Sequence, residues 1–212
     1  KVNTIHFPHF KIDDHYFRSV KKAGLLFGRG GSSINSINQV DNIDYYSLES
    51  ILITNNFPDP HQLDSIIKQG KHKWTIFSYH HFFPKNSNEH KLSESGKYNN
   101  SYTITPETFK KQIRLIRNSG YWIAPVSTIG KYIWEKENSE IRTSRYSNLI
   151  FLTIISKLDG NIYNQPLTIE FSTPAKKVKI SGSSTDGVYD NRNGKIYFNA
   201  LPNKEVTIEI IE

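Results

Sequence analysis

Two adjacent histidines, His80 and His81, close a run of strand-forming residues, Trp74-Thr75-Ile76-Phe77-Ser78-Tyr79. Aromatic and β-branched side chains suit a pleated, buried surface. Where parallel strands form a barrel, side chains at their C-terminal ends face the reaction site. An imidazole there can give or take a proton near neutral pH. Regular alternation sends successive side chains to opposite faces. His80 is therefore the candidate for proton transfer and His81 the structural member of the pair. Trp74, Tyr79 and Tyr102 could line a sugar-stacking surface, although aromatics on such strands more often fill the core.

A second group is His6-Phe7-Pro8-His9. Its histidines have the spacing of a metal clip, but on a strand residues i and i+3 face opposite sides, and Pro8 disfavours a helix. No metal ligand is assigned in this chain. Arg29, just before Gly30-Gly31, could bind a substrate carboxylate or carbonyl, or simply face solvent from a loop.

Strands and helices alternate through the first half. Residues 2–7 read as a strand, and Asp13-Asp14 can cap a helix to Ala23 that Gly24 stops. Leu25 to Phe27 begins the next strand. Arg29 to Asp44 reads as a long loop rich in Gly, Ser and Asn, followed by strand signal from Tyr45 to Ile53. Asp59-Pro60-His61-Gln62 opens a helix ended by Gly70: Asp caps, Pro sits in the first turn, and Gln reaches back. Pro84 to Tyr102 reads as a polar surface loop. Thr105-Pro106 opens a helix closed by Gly120, Trp122 to Val126 reads as a short strand, and Ser127 caps a third helix to about Glu137. Such alternation argues for a parallel sheet or barrel.

The pattern changes after residues 139–147. Short strand signals at 150–155, 167–171, 178–180, 195–199 and 206–210 follow, with hairpin signals at Asp186-Gly187 and Asn193-Gly194. This tail reads as a small β-sandwich. The expected domains are therefore 1–143, an α/β barrel portion, and 148–212, the sandwich.

The 212 residues carry a net charge of +7 but only short lysine doublets, and no nucleic-acid module signature, so a solvated basic surface is expected and no nucleic-acid partner. The absence of cysteine excludes disulfides and thiol chemistry in this chain. No apolar run reaches the roughly 20 residues that span a bilayer.

Taken in order, several segments resemble the polysaccharide deacetylase family, the nodulation-factor deacetylase-like carbohydrate esterases. Trp74 followed six residues later by His80 is similar to the family's last motif. Residues 3–10, Asn-Thr-Ile-His-Phe-Pro-His-Phe, resemble its strand-end Arg-x-Pro-x-Gly motif, with His6 at the arginine position and Phe10 at the glycine. Lys21-Lys22-Ala23-Gly24-Leu25-Leu26-Phe27-Gly28-Arg29-Gly30 resembles the run that follows it, and Ile104-Thr105-Pro106-Glu107-Thr108-Phe109 a later helix start.

The resemblance implies a partial, deformed (β/α) barrel followed by a β-sandwich, and a metal-dependent hydrolase removing acetyl groups from amino sugars. It implies His80 as general acid and the backbone N–H of His9 as oxyanion donor, with Pro8, Arg29 and Trp74 as substrate-binding candidates. It further implies a divalent metal, zinc first, an acetylated polysaccharide or peptidoglycan as partner, and a periplasmic, cell-envelope or secreted location. The family's metal-binding runs, Thr-Phe-Asp-Asp and His-Ser/Thr-x-x-His, are not found in this chain. With no methionine at Lys1 or anywhere else, the chain is expected to be the C-terminal part of a longer deacetylase, its N-terminal part a partner, and to be inactive alone. The alternative is a non-catalytic carbohydrate-binding or envelope protein on a degenerate scaffold.

Overall fold

The computed structural model describes residues 3–7, 13–34, 36–54, 57, 59–84, 87–88, 102–175, 177–182, 184–190 and 194–211. The chain divides into two compact units, Lys1–Ser127 and Thr128–Glu212. The helix over residues 126–137 packs its Tyr132 on the core of the second unit.

In the first unit, β1 (Thr4–His6) leads into α1 (Asp14–Lys22), whose first turn is capped by Asp13 accepting from the amides of His15 and Tyr16. Gly24 then takes the left-handed conformation that ends the helix (φ 72°). β2 (Phe27–Ile34) follows, then β3 (Leu48–Leu52) and α2 (Pro60–Gln69). The α2 capping box has the expected form, with Asp59 and Gln62 bonding each other's backbone. β4 (Phe77–Ser78), β5 (His81–Phe82), β6 (Thr103–Ile104) and α3 (Pro106–Asn118) complete the unit.

Among the described residues the strand pairs of this unit are parallel, in the order β1-β2-β3-β4, with β5 pairing β6, and one isolated antiparallel bridge joins Asn38 to Trp74. β4 ends just before Tyr79 and His80 and β5 follows them in a separate pairing, and within each sheet the strand order follows the chain. Parallel crossovers are nearly always right-handed, and a sequence that never reverses direction winds one way and curls. A curled parallel sheet is thus the shape of this unit, in a mixed α/β chain.

Two sequence expectations fail here. Residues 29–34 belong to β2, because Arg29 pairs with His6 on one side and Leu48 on the other; tertiary pairing overrides the Gly/Ser composition. Residues 121–125 form no strand, and Trp122 and Ile123 are more than half exposed, with no strand pairing there.

The boundary falls in the first turn of α4 (Val126–Glu137), and the second unit continues with β7 (Ser139–Tyr146), β8 (Leu149–Ser156), β9 (Leu167–Ser172), β10 (Lys177–Gly182), β11 (Ser184–Asp190), β12 (Lys195–Ala200) and β13 (Glu205–Ile211). These make two antiparallel sheets, β10-β13-β8-β7 and β11-β12-β9. Leu152, Ile154, Val206 and Ile208 of the first share one core with Leu167, Ile169, Ile196 and Phe198 of the second. Each such side chain contributes roughly 1.5–3 kcal/mol on burial. Of the second hairpin signal, Asn193 lies outside the described residues, and Gly194, just before β12, takes φ 64°. Asp186-Gly187 makes no turn between strands: it lies inside β11, at an irregularity between Thr185 and Val188.

Candidate functional site

His80 lies between β4 and β5, where the backbone leaves the ladder. The neighbouring strands bring other polar residues to the same face. His6 and Arg29 are direct register partners on β1 and β2, and the Phe7 amide donates to the Arg29 carbonyl at 3.0 Å. Arg29 Nη1 donates to the Ser50 hydroxyl of β3 at 2.7 Å, which puts Ser50 on that face too. Leu52 shares a face with Ser50 and pairs with Ser78 of β4. His80, just past Ser78, lies close enough to Arg29 and His6 to feel both electrostatically.

The row is graded in depth. Ser50 is fully buried, Arg29 is 9% exposed, and His6 and His80 are exposed. Arg29 Nη2 also meets His6 Nε2. A guanidinium has only donors to offer, so in a hydrogen bond between the two His6 Nε2 is the acceptor. Electrostatics agree. Burial, then Arg29, then His80 hold the His6 imidazole below its ordinary value of 6.5. Burial, then Arg29, then His81 do the same to His80. Burial alone lowers Arg29 to about 10, which leaves it charged at neutral pH. The row therefore carries one fixed positive charge with two imidazoles that are neutral above their lowered values.

Around His80 the environment is aromatic. Its ring lies tilted against Tyr102, centroids 5.1 Å apart, while His81 stacks on Phe83 at 5.8 Å with planes 3° apart. Tyr79 packs edge-on against Phe109, and burial pushes its phenol up to about 12. Among the described residues, the buried oxygens of Ser78, Tyr79 and Thr103 have no hydrogen-bond partner.

Of the residues singled out from sequence, His80 and Arg29 come together here. Arg29 does so from a buried strand position rather than a solvent-facing loop. Trp74 does not join them. It is 4% exposed and bridges Asn38 at the start of its strand, roughly 20 Å along the chain from His80. It is a core residue rather than part of an exposed stacking surface. Pro8 and His9, and Phe10 beside them, lie outside the described residues. His6, Ser50 and Ser78 were not expected at the site. A serine amid apolar strand residues, as in Leu48-Glu49-Ser50-Ile51-Leu52, was the available signal for the last two.

Among the described residues no group of three or more His, Cys, Asp or Glu side chains converges. The His6 nitrogen facing Arg29 is occupied as its acceptor, and a fixed cation beside it repels a second one. No family model, curated protein or solved structure matches the chain. The deacetylase resemblance therefore rests on the sequence motifs.

Proposed function

We infer that this chain is a carbohydrate deacetylase-like hydrolase in which His80 protonates the departing amine, on a deformed (β/α) barrel followed by a β-sandwich. The observation that carries the reading is the position of His80: the C-terminal end of a parallel strand, in a ladder break, with Arg29 and His6 beside it. Amide cleavage needs a proton on the leaving nitrogen, and an imidazole with a lowered pKa gives its proton up readily once charged. Arg29 would orient an acyl or carboxylate oxygen. The divalent metal of the resembled family is not supplied by the described residues. Acetylated amino-sugar polymers or peptidoglycan are the proposed substrates, and the periplasm, cell envelope or exterior the proposed location. No described helix is long and apolar enough to cross a membrane.

The test is release of acetate from acetylated chito-oligosaccharide or peptidoglycan fragments, with zinc supplied, by the full-length protein as wild type, His80→Ala and His81→Ala. His80→Ala should lose about 10²–10⁴-fold in turnover, the usual worth of general acid catalysis, and His81→Ala far less. Equal rates for wild type and His80→Ala would remove His80 from the chemistry. His6 and Phe10, at the arginine and glycine positions of the resembled motif, favour a second reading, a non-catalytic carbohydrate-binding protein, which would show saccharide binding without acetate release.

A further inference from the structure

We propose that the outer edge of β7 is a docking strand for a second copy of this chain, the two β7 strands pairing antiparallel about Ile141. β7 stands last in the sheet β10-β13-β8-β7, and among the described residues no strand pairs with its outer side. Seven of its eight residues are exposed. The neighbouring ladders show which of its backbone groups face outwards. The Ile210 amide donates to the Asn148 carbonyl and the Asn203 amide to the Ile154 carbonyl, so the even-numbered residues along β8 turn their N–H and C=O towards the β13 side. The odd-numbered ones turn theirs towards β7, where their partners are Glu140, Arg142, Ser144 and Tyr146. Ser139, Ile141, Thr143 and Arg145 therefore point their N–H and C=O outwards, the pattern onto which a further strand can add.

Charge selects both the occupant and the register. In a two-fold antiparallel pair, residues opposite each other lie on the same side of the sheet and equally far from the centre. Only a centre at Ile141 sets Glu140 of each copy opposite Arg142 of the other. Centres at Glu140 or Arg142 would oppose like charges, and centres at Thr143 or Ser144 leave Glu140 with no cation opposite. Within one strand Arg142 Nη2 already donates to Glu140 Oε1 at 2.5 Å. Pairing then assembles four charges of alternating sign, each carboxylate meeting its own guanidinium and that of the second copy. Ile141 supplies the apolar part. It shares a face of the sheet with its register partner Ile154, which is 1% exposed in the core, yet Ile141 itself is 55% exposed. At the centre of the pair it meets Ile141 of the second copy, so that the core continues across the junction and both side chains are covered. A strand from another protein would need the same alternation of charge, whereas a second copy carries it by construction.

Sedimentation equilibrium of the 212-residue protein tests this over about 10 µM to 1 mM, the affinity range of a small, strand-sized interface. The mass should rise from monomer to dimer and stop there. The amides of Ile141 and Thr143 should gain protection from hydrogen exchange as concentration rises. Glu140→Arg and Arg142→Glu, both at exposed positions, should each weaken the dimer at least about tenfold with circular dichroism unchanged. Mixed together, these two variants should associate to within about threefold of wild type, because opposite charges again face each other at both positions. A protein that stays monomeric at the highest concentration, growth beyond a dimer, single variants that dimerise like wild type, or a mixture that associates no better than its components would overturn the assignment.

Discussion

Replacing Ser50 by alanine removes one oxygen atom from the centre of the polar row and little else. The hydroxyl is fully buried and accepts a 2.7 Å hydrogen bond from a charged donor, Arg29 Nη1. Losing so small an atom leaves almost no cavity, so the cost is electrostatic. Hydrogen bonds to charged groups contribute about 1.5–3 kcal/mol net, and a buried donor left short of its acceptor forfeits that amount. A loss of about 2 kcal/mol with a urea dependence of about 1–3 kcal/mol per molar moves the unfolding midpoint down by about 1 M. Trp74 and Trp122 report on the first unit once Trp134 is changed to Phe. In that background Ser50→Ala, Arg29→Met and the double variant form a thermodynamic cycle. The expected coupling is about 1.5–3 kcal/mol. A Ser50→Ala cost under about 0.5 kcal/mol, or the same cost with Arg29 already removed, would refute the view that Ser50 holds the guanidinium.

Two further outcomes are expected. Gly28→Ala should destabilise the first unit by about 1–3 kcal/mol by overpacking, since its new Cβ would lie 2.5 Å from the Tyr46 carbonyl oxygen and 2.8 Å from Phe7 Cε2. Gly160→Ala, with nothing within 4 Å, is the neutral control in the same urea titration. Because the folded values of His6 and His80 lie below 6.5, the unfolded chain binds more protons in the window just below that value. Stability should therefore be full above pH 6.5 and fall as pH drops towards and through the folded values. His80→Gln should reduce that slope in unfolding curves taken between pH 7.5 and 5.

Local chemistry was legible in the sequence wherever a feature is set by neighbours along the chain. The Asp59–Gln62 capping box and the Asp13 cap need only residues two or three apart. Features set by pairing were not. β7 carries no alternation because all but its first residue are exposed, and it exists through its ladder with β8. β2 reads as a loop because glycines and serines do not announce a strand, yet its pairing with β1 is what delivers Arg29 to His6. The strand-end placement of His80 followed from the apolar run before it. Its companions did not, since parallel register between strands separated by helices leaves no trace in residue spacing.

The order of strands also sets when each unit can assemble on the ribosome. In the first unit neighbours in the sheet are neighbours in the chain, so each strand finds its partner as it emerges. In the second, Leu152 of β8 waits for Val206 of β13, and Lys177 of β10 waits for Ile211. At about 5–20 residues per second, β8 spends roughly 3–10 s with only β7 beside it. Throughout that interval Leu152 and Ile154 lack the β13 side chains that later cover them. That hairpin is the segment of the nascent chain on which a holdase chaperone would first find a hydrophobic grip.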